Sequence, residues 1–338
     1  MMGILYFVIL LRVIVIIHEG GHLLTAKLFN VYCYEFAIGM GPKLISKQFN
    51  ETVYSIRLLP LGGYVAIAGE NDGMNEVYKD IEVPYERTIT GVAAWKKIIL
   101  MLAGITMNFL LAWVLASGVF LYYGEIYLDP APIVAGIVED SAASKADFKE
   151  GDVIKKVILD DGTVIVPEDF YDISDFTMTY DGEITYYLDR DGSEVITTVK
   201  GIKNEETGYY TIGLYMPERD SAKINFINCW KYGFNYLAGI AKTLFVALAR
   251  MFRGRGLDQM SGPVGIYNAA SDAVAYGWDS FLLLMSVLSV NVGIFNLLPL
   301  PILDGGRAVI TLGEAIVGKK LNQKVEIGLM AVCWVLML

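Results

Sequence analysis

The sequence predicts a polytopic α-helical membrane protein with about four transmembrane helices, a membrane-associated β-hairpin region and an inserted α+β domain. The composition is the first reason, because 54% of the 338 residues are hydrophobic and the mean hydropathy is +0.46. The second reason is the set of apolar runs near residues 4–28, 98–124 and 280–298, since a helix needs ~20 residues to cross a bilayer. The third is an acidic, turn-rich stretch at residues 130–216, which has the composition of a small soluble domain.

The first predicted span, residues 1–29, contains the segment His18-Glu19-Gly20-Gly21-His22, with the only two histidines of the chain. A spacing of four residues puts both imidazoles on one face of a helix, where they can bind one metal ion. Glu19 occupies the position of the general base in metalloproteases, which deprotonates a zinc-bound water. Two packed core histidines are the plainer alternative, but ionisable side chains inside an apolar run are costly, which favours a zinc site.

Residues 30–92 are predicted as the β-hairpin region, ending in a polar loop from residue 73. Tyr54, Ile56 and Leu58 alternate with polar residues, as in a half-buried strand, and glycines separate the strands. Two interpretations stay open. The region is either an ordinary cytosolic hairpin or a sheet that approaches the active site and offers an edge strand to an extended substrate.

The second span, residues 93–124, has no charged residue from Ile98 onward, and Asn108 within it is expected to form an interhelical hydrogen bond. The domain at residues 130–217 contains short strands and three Asp-Gly turns, at 161–162, 181–182 and 191–192. Its run from Val138 to Ile154 (V-x-x-S-x-A…F-K-x-G-D-x-I) resembles a PDZ domain, a fold that binds extended chains by strand addition.

The last third of the chain is predicted to contain one peripheral segment and two spans. Residues 224–276 read as an amphipathic segment at the membrane surface, because lysine and arginine interrupt its apolar stretch. Residues 278–306 hold the third span, which ends in N-x-x-P-x-P-x-L-D-G, from Asn296 to Gly305. Residues 307–338 are predicted as a short helix and the start of a fourth span.

Asp304 is the best candidate for a third metal ligand, because a catalytic zinc ion takes three protein ligands and keeps one position open. It follows a span and lies in a segment broken by proline and glycine. Irregular backbone at membrane depth is tolerated only where it lines a cavity or packs inside protein. A carboxylate in such a place is expected to bind the metal.

These motifs together resemble the site-2 protease (M50) family, intramembrane zinc metalloproteases that carry out regulated intramembrane proteolysis. The resemblance covers nearly the whole chain, including Gly39-x-Gly41, Gly62-Gly63-Tyr64 and Ser261-Gly262-Pro263. The order of segments is similar to the bacterial RseP/RasP branch with a single PDZ domain.

The resemblance implies roles for individual residues. It implies that His18, His22 and Asp304 bind Zn²⁺ and that Glu19 is the catalytic base. It also implies a set of substrate-binding residues: Asn296, Gly39, Gly41, Gly62 and Gly63. The implied substrates are single-span membrane proteins such as anti-sigma factors or signal-peptide remnants.

The sequence also predicts an orientation in a bacterial cell membrane. With the N-terminus outside, the PDZ-like domain is extracytoplasmic and the active site lies near the cytoplasmic side. Basic residues then concentrate inside, as the positive-inside rule expects; they are Lys43, Lys47, Arg57, Lys96, Lys97, Arg307, Lys319 and Lys320. A crossing by residues 224–252 would put Asp304 on the wrong side.

Two other functions were weighed against proteolysis. A non-catalytic PDZ-containing membrane chaperone or adaptor predicts that no metal copurifies, and a metal transporter predicts further ligands inside the membrane, which the sequence lacks. The net charge of −10 argues against nucleic acid as a partner. The three scattered cysteines, Cys33, Cys229 and Cys333, predict neither a disulfide framework nor a cysteine-based zinc site.

Overall fold

The computed structural model describes residues 2–70, 77–78, 80–205, 208–252, 262–319, 321, 328–329 and 333. The chain divides into two compact units. The first combines Met1–Tyr122 with Asn225–Leu338, and the second, called the inserted unit below, is Tyr123–Ile224.

The first unit is built from helices. In chain order they are α1 (Met2–Leu28), α2 (Ala94–Tyr123), α4 (Cys229–Phe252), α5 (Pro263–Tyr276), α6 (Trp278–Leu297) and α7 (Asp304–Val317), with a 3₁₀ turn at Tyr85–Arg87. Within the described residues, three helices are long and apolar enough to cross a membrane: Gly3–Leu28, Ala94–Tyr123 and Trp278–Leu297. The prediction of a membrane protein that also contains β-sheets is confirmed to this extent. The predicted fourth span lies almost wholly outside the described residues.

Helix α6 runs antiparallel to α2, and buried serines join the two. Ser286 Oγ donates to the Ala112 carbonyl at 3.0 Å, and Ser289 Oγ donates to the Asn108 carbonyl at 2.9 Å. The serine number rises as the partner number falls, which fixes the opposite directions. Both hydroxyls find backbone carbonyls as hydrogen-bond acceptors, which polar side chains between membrane helices need.

Helix α1 runs in the same direction as α6. The ring of Tyr6, near the start of α1, contacts Phe281, near the start of α6, at 5.5 Å between centroids. One turn further on, Leu10 and Ile14 share a buried cluster with Met285. The end of α1, the beginning of α2 and the end of α6 therefore lie at the same end of the unit.

Helices α4 and α5 occupy the segment that the sequence predicts to be amphipathic. Trp113 Nε1 of α2 donates to the Trp230 carbonyl at 2.8 Å, and Leu237 and Leu248 are buried with residues of α2 and α6. Lys231 is exposed. The apolar side of α4 thus packs against the span helices α2 and α6.

The β-hairpin region is one long hairpin, β1 (Cys33–Phe49) and β2 (Thr52–Ile67). The turn lies at Asn50, whose φ of 53° is a conformation that asparagine tolerates better than most residues. The prediction that Gly39, Gly41 and Gly62 separate strands is wrong, because all three lie inside the strands. Their φ values of 89°, 82° and 72° mark irregularities in the ladder instead.

The hairpin folds back on itself because of these irregularities. Residues 35–38 of β1 have register partners in both halves of β2, at 53–56 and at 63–66. The first part of β1 is buried and the part from residue 40 onward is exposed. The first part of β1 is thus held between two segments of β2, and the part nearest the turn is exposed.

A buried carboxylate fastens the folded hairpin. Glu35 is 0% exposed, and its oxygens lie 2.9 Å from Lys43 Nζ and 2.9 Å from Arg57 Nη2. The hydroxyls of Ser55 and Tyr78 also donate to it. Arg57 in addition donates to the Gly41 carbonyl at 2.6 Å, so the network links both strands and the segment that follows them.

The inserted unit is an α+β fold. Its main sheet has the order β6-β5-β7-β8, formed by Val164–Ile165, Val153–Leu159, Glu183–Arg190 and Ser193–Lys200. Helix α3 (Phe170–Thr179) begins at the cap Asp169, which accepts from the Asp172 amide. The short strands form three further pairs: β3 (Glu125–Tyr127) with β12 (Ser221–Lys223), β4 (Gly136–Ile137) with β11 (Leu214–Tyr215), and β9 (Ile202–Lys203) with β10 (Tyr210–Thr211).

Turn chemistry explains part of this fold. Asp191 and Gly192, between β7 and β8, have φ of 53° and 83°, the double positive φ of a tight hairpin turn. Gly162, between β5 and β6, is also left-handed, whereas Gly182 is not. The unit extends beyond the predicted 130–217 because β3 and β12 pair the two connecting segments.

Glu35 generates a prediction about the hairpin. Burial alone would raise the pKa of Glu35, but the surrounding donors outweigh it and lower the pKa from 4.5 to about 2. A carboxyl group with a lowered pKa stabilises the folded state fully at pH values above its ordinary pKa. This contribution is lost as the pH falls toward the lowered pKa. We expect protection of residues 33–67 to be constant above pH ~4.5 and to fall below it, by up to about 3 kcal/mol.

Hydrogen exchange of hairpin peptides, corrected for the intrinsic pH dependence of amide exchange, measures this protection. In Glu35→Gln we expect protection that is already low at pH 7 and nearly independent of acid. The exposed Glu82 provides the control, and Glu82→Gln should follow the wild type. Equal acid sensitivity of Glu35→Gln and wild type would contradict the assignment.

Candidate metal centre

Helix α1 carries the two histidines on one face. His18 and His22 are one turn apart, and their rings meet edge to face at 5.0 Å between centroids. Their exposed fractions are only 9% and 8%, on a helix that is largely apolar. The geometry follows from the 3.6-residue period and from packing that covers this face.

Asp304 reaches the same place from the other side of the unit. It begins α7, after an irregular segment that follows the end of α6. A Cβ on Gly305 would lie 2.3 Å from the Leu297 carbonyl oxygen, and one on Gly306 would lie 2.0 Å from that of Leu300. Only glycine fits this close fold-back, so the two residues after Asp304 fix where its carboxylate points.

The three side chains converge tightly. Asp304 Oδ2 lies 3.1 Å from His18 Nε2 and 3.3 Å from His22 Nε2, and the two Nε2 atoms are 3.4 Å apart. Zinc–nitrogen and zinc–oxygen bonds of about 2.0–2.1 Å at tetrahedral angles separate two ligand atoms by about 3.3–3.4 Å. Within the described residues, His18, His22 and Asp304 form a group of side chains whose ligand atoms lie close enough together to bind one metal ion.

Hydrogen bonding explains why a cation belongs here. His22 Nδ1 lies 2.9 Å from the Leu100 carbonyl oxygen, which can only accept, so Nδ1 carries the proton and a neutral ring presents a lone pair at Nε2. Asp304 Oδ2 is buried and no described donor hydrogen-bonds to it. Lone pairs facing one another at these distances repel unless a cation lies between them, so the donor set fits Zn²⁺.

Helix α2 approaches α1 closely at this level. A Cβ on Gly21 would lie 2.5 Å from the Ala103 carbonyl oxygen. A Cβ on Gly104 would lie 2.5 Å from His22 Nε2 and 2.8 Å from His18 Nε2. The backbone of α2 therefore closes one side of the metal centre, and no other side chain fits at Gly104.

Glu19 lies beside the ligands. It interacts electrostatically with His18, His22 and Asp304. A Cβ built on Gly63 of β2 would be 3.7 Å from Glu19 Cγ and 2.9 Å from the Ala37 carbonyl oxygen. Glu19 is thus near the metal centre and next to the hairpin, which is where a base acting on an extended substrate would be needed.

The other predicted substrate-binding residues are not brought to the ligands by any contact of the described residues. Asn296 Nδ2 donates to the Val292 carbonyl of its own helix at 3.0 Å. Gly39 packs against the Leu59 carbonyl and Gly62 against Met40, while Gly41 has Leu59 at ordinary contact distance. Only Gly63 of this set adjoins Glu19.

Three features around the site were not assigned from the sequence. Asn108, expected to form an interhelical hydrogen bond, does so with His18, its Nδ2 lying 3.2 Å from Nδ1. Gly104, whose sequence position indicates only a small residue in a predicted span, faces both imidazoles. Arg307, one turn after Asp304, pairs with Glu70 beyond the end of β2. The signal for the first two is their spacing of four residues in the part of α2 that carries no charge, from Ile98 onward.

Gly104 generates a prediction about metal binding. In Gly104→Ala the methyl group would invade the space between the two Nε2 atoms. We expect zinc affinity to fall by more than the roughly 10–100-fold typical of changes around metal ligands. Metal analysis of the purified protein and competition with a chelator measure this.

Gly118 is the matched control, because it lies on the same helix and a Cβ there meets nothing within 4 Å. Gly118→Ala should bind zinc like the wild type. Full zinc binding by Gly104→Ala would show that the imidazoles do not face α2 as described.

Comparison with known proteins finds relatives along almost the whole chain. The family model described as "Peptidase family M50" matches residues 6–338. A relative from Fusobacterium nucleatum, named "Putative zinc metalloprotease FN1322", is 35% identical over 328 residues, which cover 96% of this chain and 92% of the relative. "Regulator of sigma-W protease RasP" from Bacillus subtilis is 30% identical over 398 residues, covering 95% and 92%. "Zinc metalloprotease RasP" from Shouchella clausii is 28% identical over 400 residues, with the same coverage.

Proposed function

The chain belongs to peptidase family M50 and is a zinc metalloprotease, and from this premise we propose that it cleaves single-span membrane proteins within the bilayer. The observation that carries the proposal is the convergence of His18, His22 and Asp304 at the spacing of a tetrahedral ligand set. These three residues hold the zinc ion, and the fourth position is left for water and substrate.

When bound, the zinc ion supplies Lewis-acid chemistry, lowering the pKa of the attacking water and polarising the scissile carbonyl. Glu19 takes the proton from that water and later delivers it to the leaving amine. Its place directly after His18 on α1 keeps the carboxylate beside the ligands without making it one of them. The base therefore stays free to change protonation state during the reaction.

The hairpin presents the substrate. A helical substrate hides its amides in intrahelical hydrogen bonds, so it must be extended before cleavage. The segment Gly63–Ile67 pairs with β1 on one edge, and no described strand pairs with its other edge. A substrate strand added at that edge would lie next to Glu19, because Gly63 of this segment packs against the Glu19 side chain. Asn296 and the glycines at 39, 41 and 62 would shape the path to this edge.

The protein is a membrane protein, and we place the site near the cytoplasmic face of a bacterial cell membrane. The end of α1 and the end of α6 lie at the same end of the first unit, as a shared site for His22 and Asp304 requires. The basic residues around the hairpin and α7 belong inside by the positive-inside rule. The inserted unit then lies outside.

The inserted unit acts as a tether or size filter with a PDZ-like fold. A groove runs between α3 and residues 210–214. Its walls mix apolar and hydroxyl side chains, Phe170, Ile173, Ser174, Thr177, Tyr210 and Leu214 among them. An extended chain end fits such a groove by pairing with the short strands there.

The name of one relative supports a choice of substrate to test first. The Bacillus subtilis relative is named a regulator of sigma-W, which makes a membrane-spanning anti-sigma factor the first substrate to test. A signal-peptide remnant is the second. Both are short enough outside the membrane to pass the inserted unit once an earlier cut has removed their bulky outer part.

Glu19 generates the central prediction for activity. In Glu19→Gln the amide cannot accept the proton, so we expect cleavage of a model transmembrane peptide to fall by about 10²–10⁴. Zinc content should stay at the wild-type level, because Glu19 is not a ligand. Peptide cleavage and metal analysis on the same preparation separate the two effects.

The control for Glu19→Gln is Glu86→Gln, since Glu86 is an exposed carboxylate near the beginning of α2. That variant should cleave at the wild-type rate. Retained cleavage by zinc-loaded Glu19→Gln would reject the assignment of the base.

The orientation gives a separate prediction. The three native cysteines are buried, so a single accessible thiol can be introduced by Asp220→Cys in the inserted unit. In intact cells or spheroplasts, we expect a membrane-impermeant maleimide to label it. Glu86→Cys should be labelled only after lysis, and the opposite pattern would invert the topology.

A further inference from the structure

Helix α2 presents three groups to the histidines at intervals of four residues. The carbonyl of Leu100 faces His22 Nδ1, Gly104 faces both rings, and the carboxamide of Asn108 faces His18 Nδ1. Residues four apart lie on one face of a helix. Helix α2 thus contacts each ring at Nδ1, whereas Nε2 of each ring faces Asp304.

The two partners differ in chemistry. The Leu100 carbonyl only accepts, and it fixes one tautomer of His22. The carboxamide of Asn108 both donates and accepts, and it is 0% exposed. Its Oδ1 is a buried atom that no described residue hydrogen-bonds, while its Nδ2 faces His18 Nδ1 at 3.2 Å. A ring that binds zinc through Nε2 carries its proton on Nδ1, and this orientation would then set the Nδ2 donor of Asn108 against the Nδ1–H donor of His18.

Rotation of the carboxamide by half a turn about its Cβ–Cγ bond exchanges Oδ1 and Nδ2. The oxygen then accepts from Nδ1–H of His18, and the Nε2 lone pair is released toward the metal centre. This is the tautomer that His22 already has. Partners that accept the second imidazole proton orient metal-binding histidines and increase their basicity.

We propose that Asn108 is a positioning residue whose carboxamide oxygen accepts the Nδ1–H hydrogen bond of His18 when zinc is bound. The inference rests on the proposed function, in which His18 is a zinc ligand. It explains why a carboxamide stands where α2 offers His22 a carbonyl: the side chain supplies an acceptor for His18 without adding a charge to the apolar part of α2.

Two substitutions separate the acceptor from the bulk of the side chain. Asn108→Leu keeps a similar volume and removes the acceptor, and Asn108→Asp keeps an acceptor. We expect Asn108→Leu to weaken zinc binding by about 10–100-fold, and Asn108→Asp to stay within about threefold of the wild type. Thr106→Val is the control, because Thr106 Oγ1 bonds only to Leu102 of its own helix at 2.9 Å. Asn108→Ala replaces the leucine variant if leucine prevents folding.

The chain has only two histidines, so ¹⁵N NMR of the imidazoles reads each tautomer directly. In zinc-loaded Asn108→Leu, we expect the His18 Nδ1–H resonance to shift and to exchange faster with water while that of His22 stays unchanged. Wild-type zinc affinity with an unchanged His18 resonance would overturn the proposal. So would equal changes at both rings, or an aspartate variant as weak as the leucine one. Absence of any zinc-dependent change at His18 in the wild type would instead refute the proposed function, and this inference with it.

Discussion

The close crossing of α1 and α2 is the contact on which the metal centre depends. Gly21 and Gly104 let the two backbones approach until a single methyl group would not fit between them. At this separation the imidazoles of α1 reach hydrogen-bonding partners on α2, at 2.9 Å for His22 and 3.2 Å for His18. Hydrogen bonds weaken steeply beyond about 3.2–3.5 Å, so one larger residue at the crossing would release both rings. The ligand geometry is therefore set by small residues as much as by the ligands themselves.

The third ligand is placed by a different device, and that device is tied to the hairpin. The irregular segment after α6 folds back on the first turn of α7, where Gly305 and Gly306 leave no room for side chains. One turn later Arg307 pairs with Glu70, which follows β2. Glu35 in turn fixes the two strands to each other. Contacts therefore connect the hairpin proposed to bind substrate with the carboxylate proposed to bind zinc. A displacement of β2 would shift Arg307, which lies one turn after Asp304.

The features that could be predicted from the sequence are those visible within one segment of the chain. Most contacts between distant segments could not be predicted. The spacing of His18 and His22 is visible within one helix, and the broken segment before Asp304 is visible as a departure from apolar helix. By contrast, the partner of His22 is a backbone carbonyl 78 residues away, and no residue type marks it. The glycines of the hairpin were misread as turns because a glycine with positive φ fits a bulge as well as a turn. The turn itself lies at Asn50, and an asparagine is too common outside turns to mark the position by itself.

The burial of so many polar groups in an apolar unit is itself an argument for the metal. His18, His22, Asp304 and Asn108 would each cost free energy to remove from water unless they were paired. In the described structure each has a neighbour, but the innermost set consists of two ring nitrogens and a carboxylate oxygen facing one another. Zinc satisfies all three at once, and because the ligands come from α1 and from the start of α7, binding it joins the first helix to the last described one. Metal binding and the association of these helices are therefore coupled, which links the stability of the membrane-spanning unit to the same atoms that perform hydrolysis.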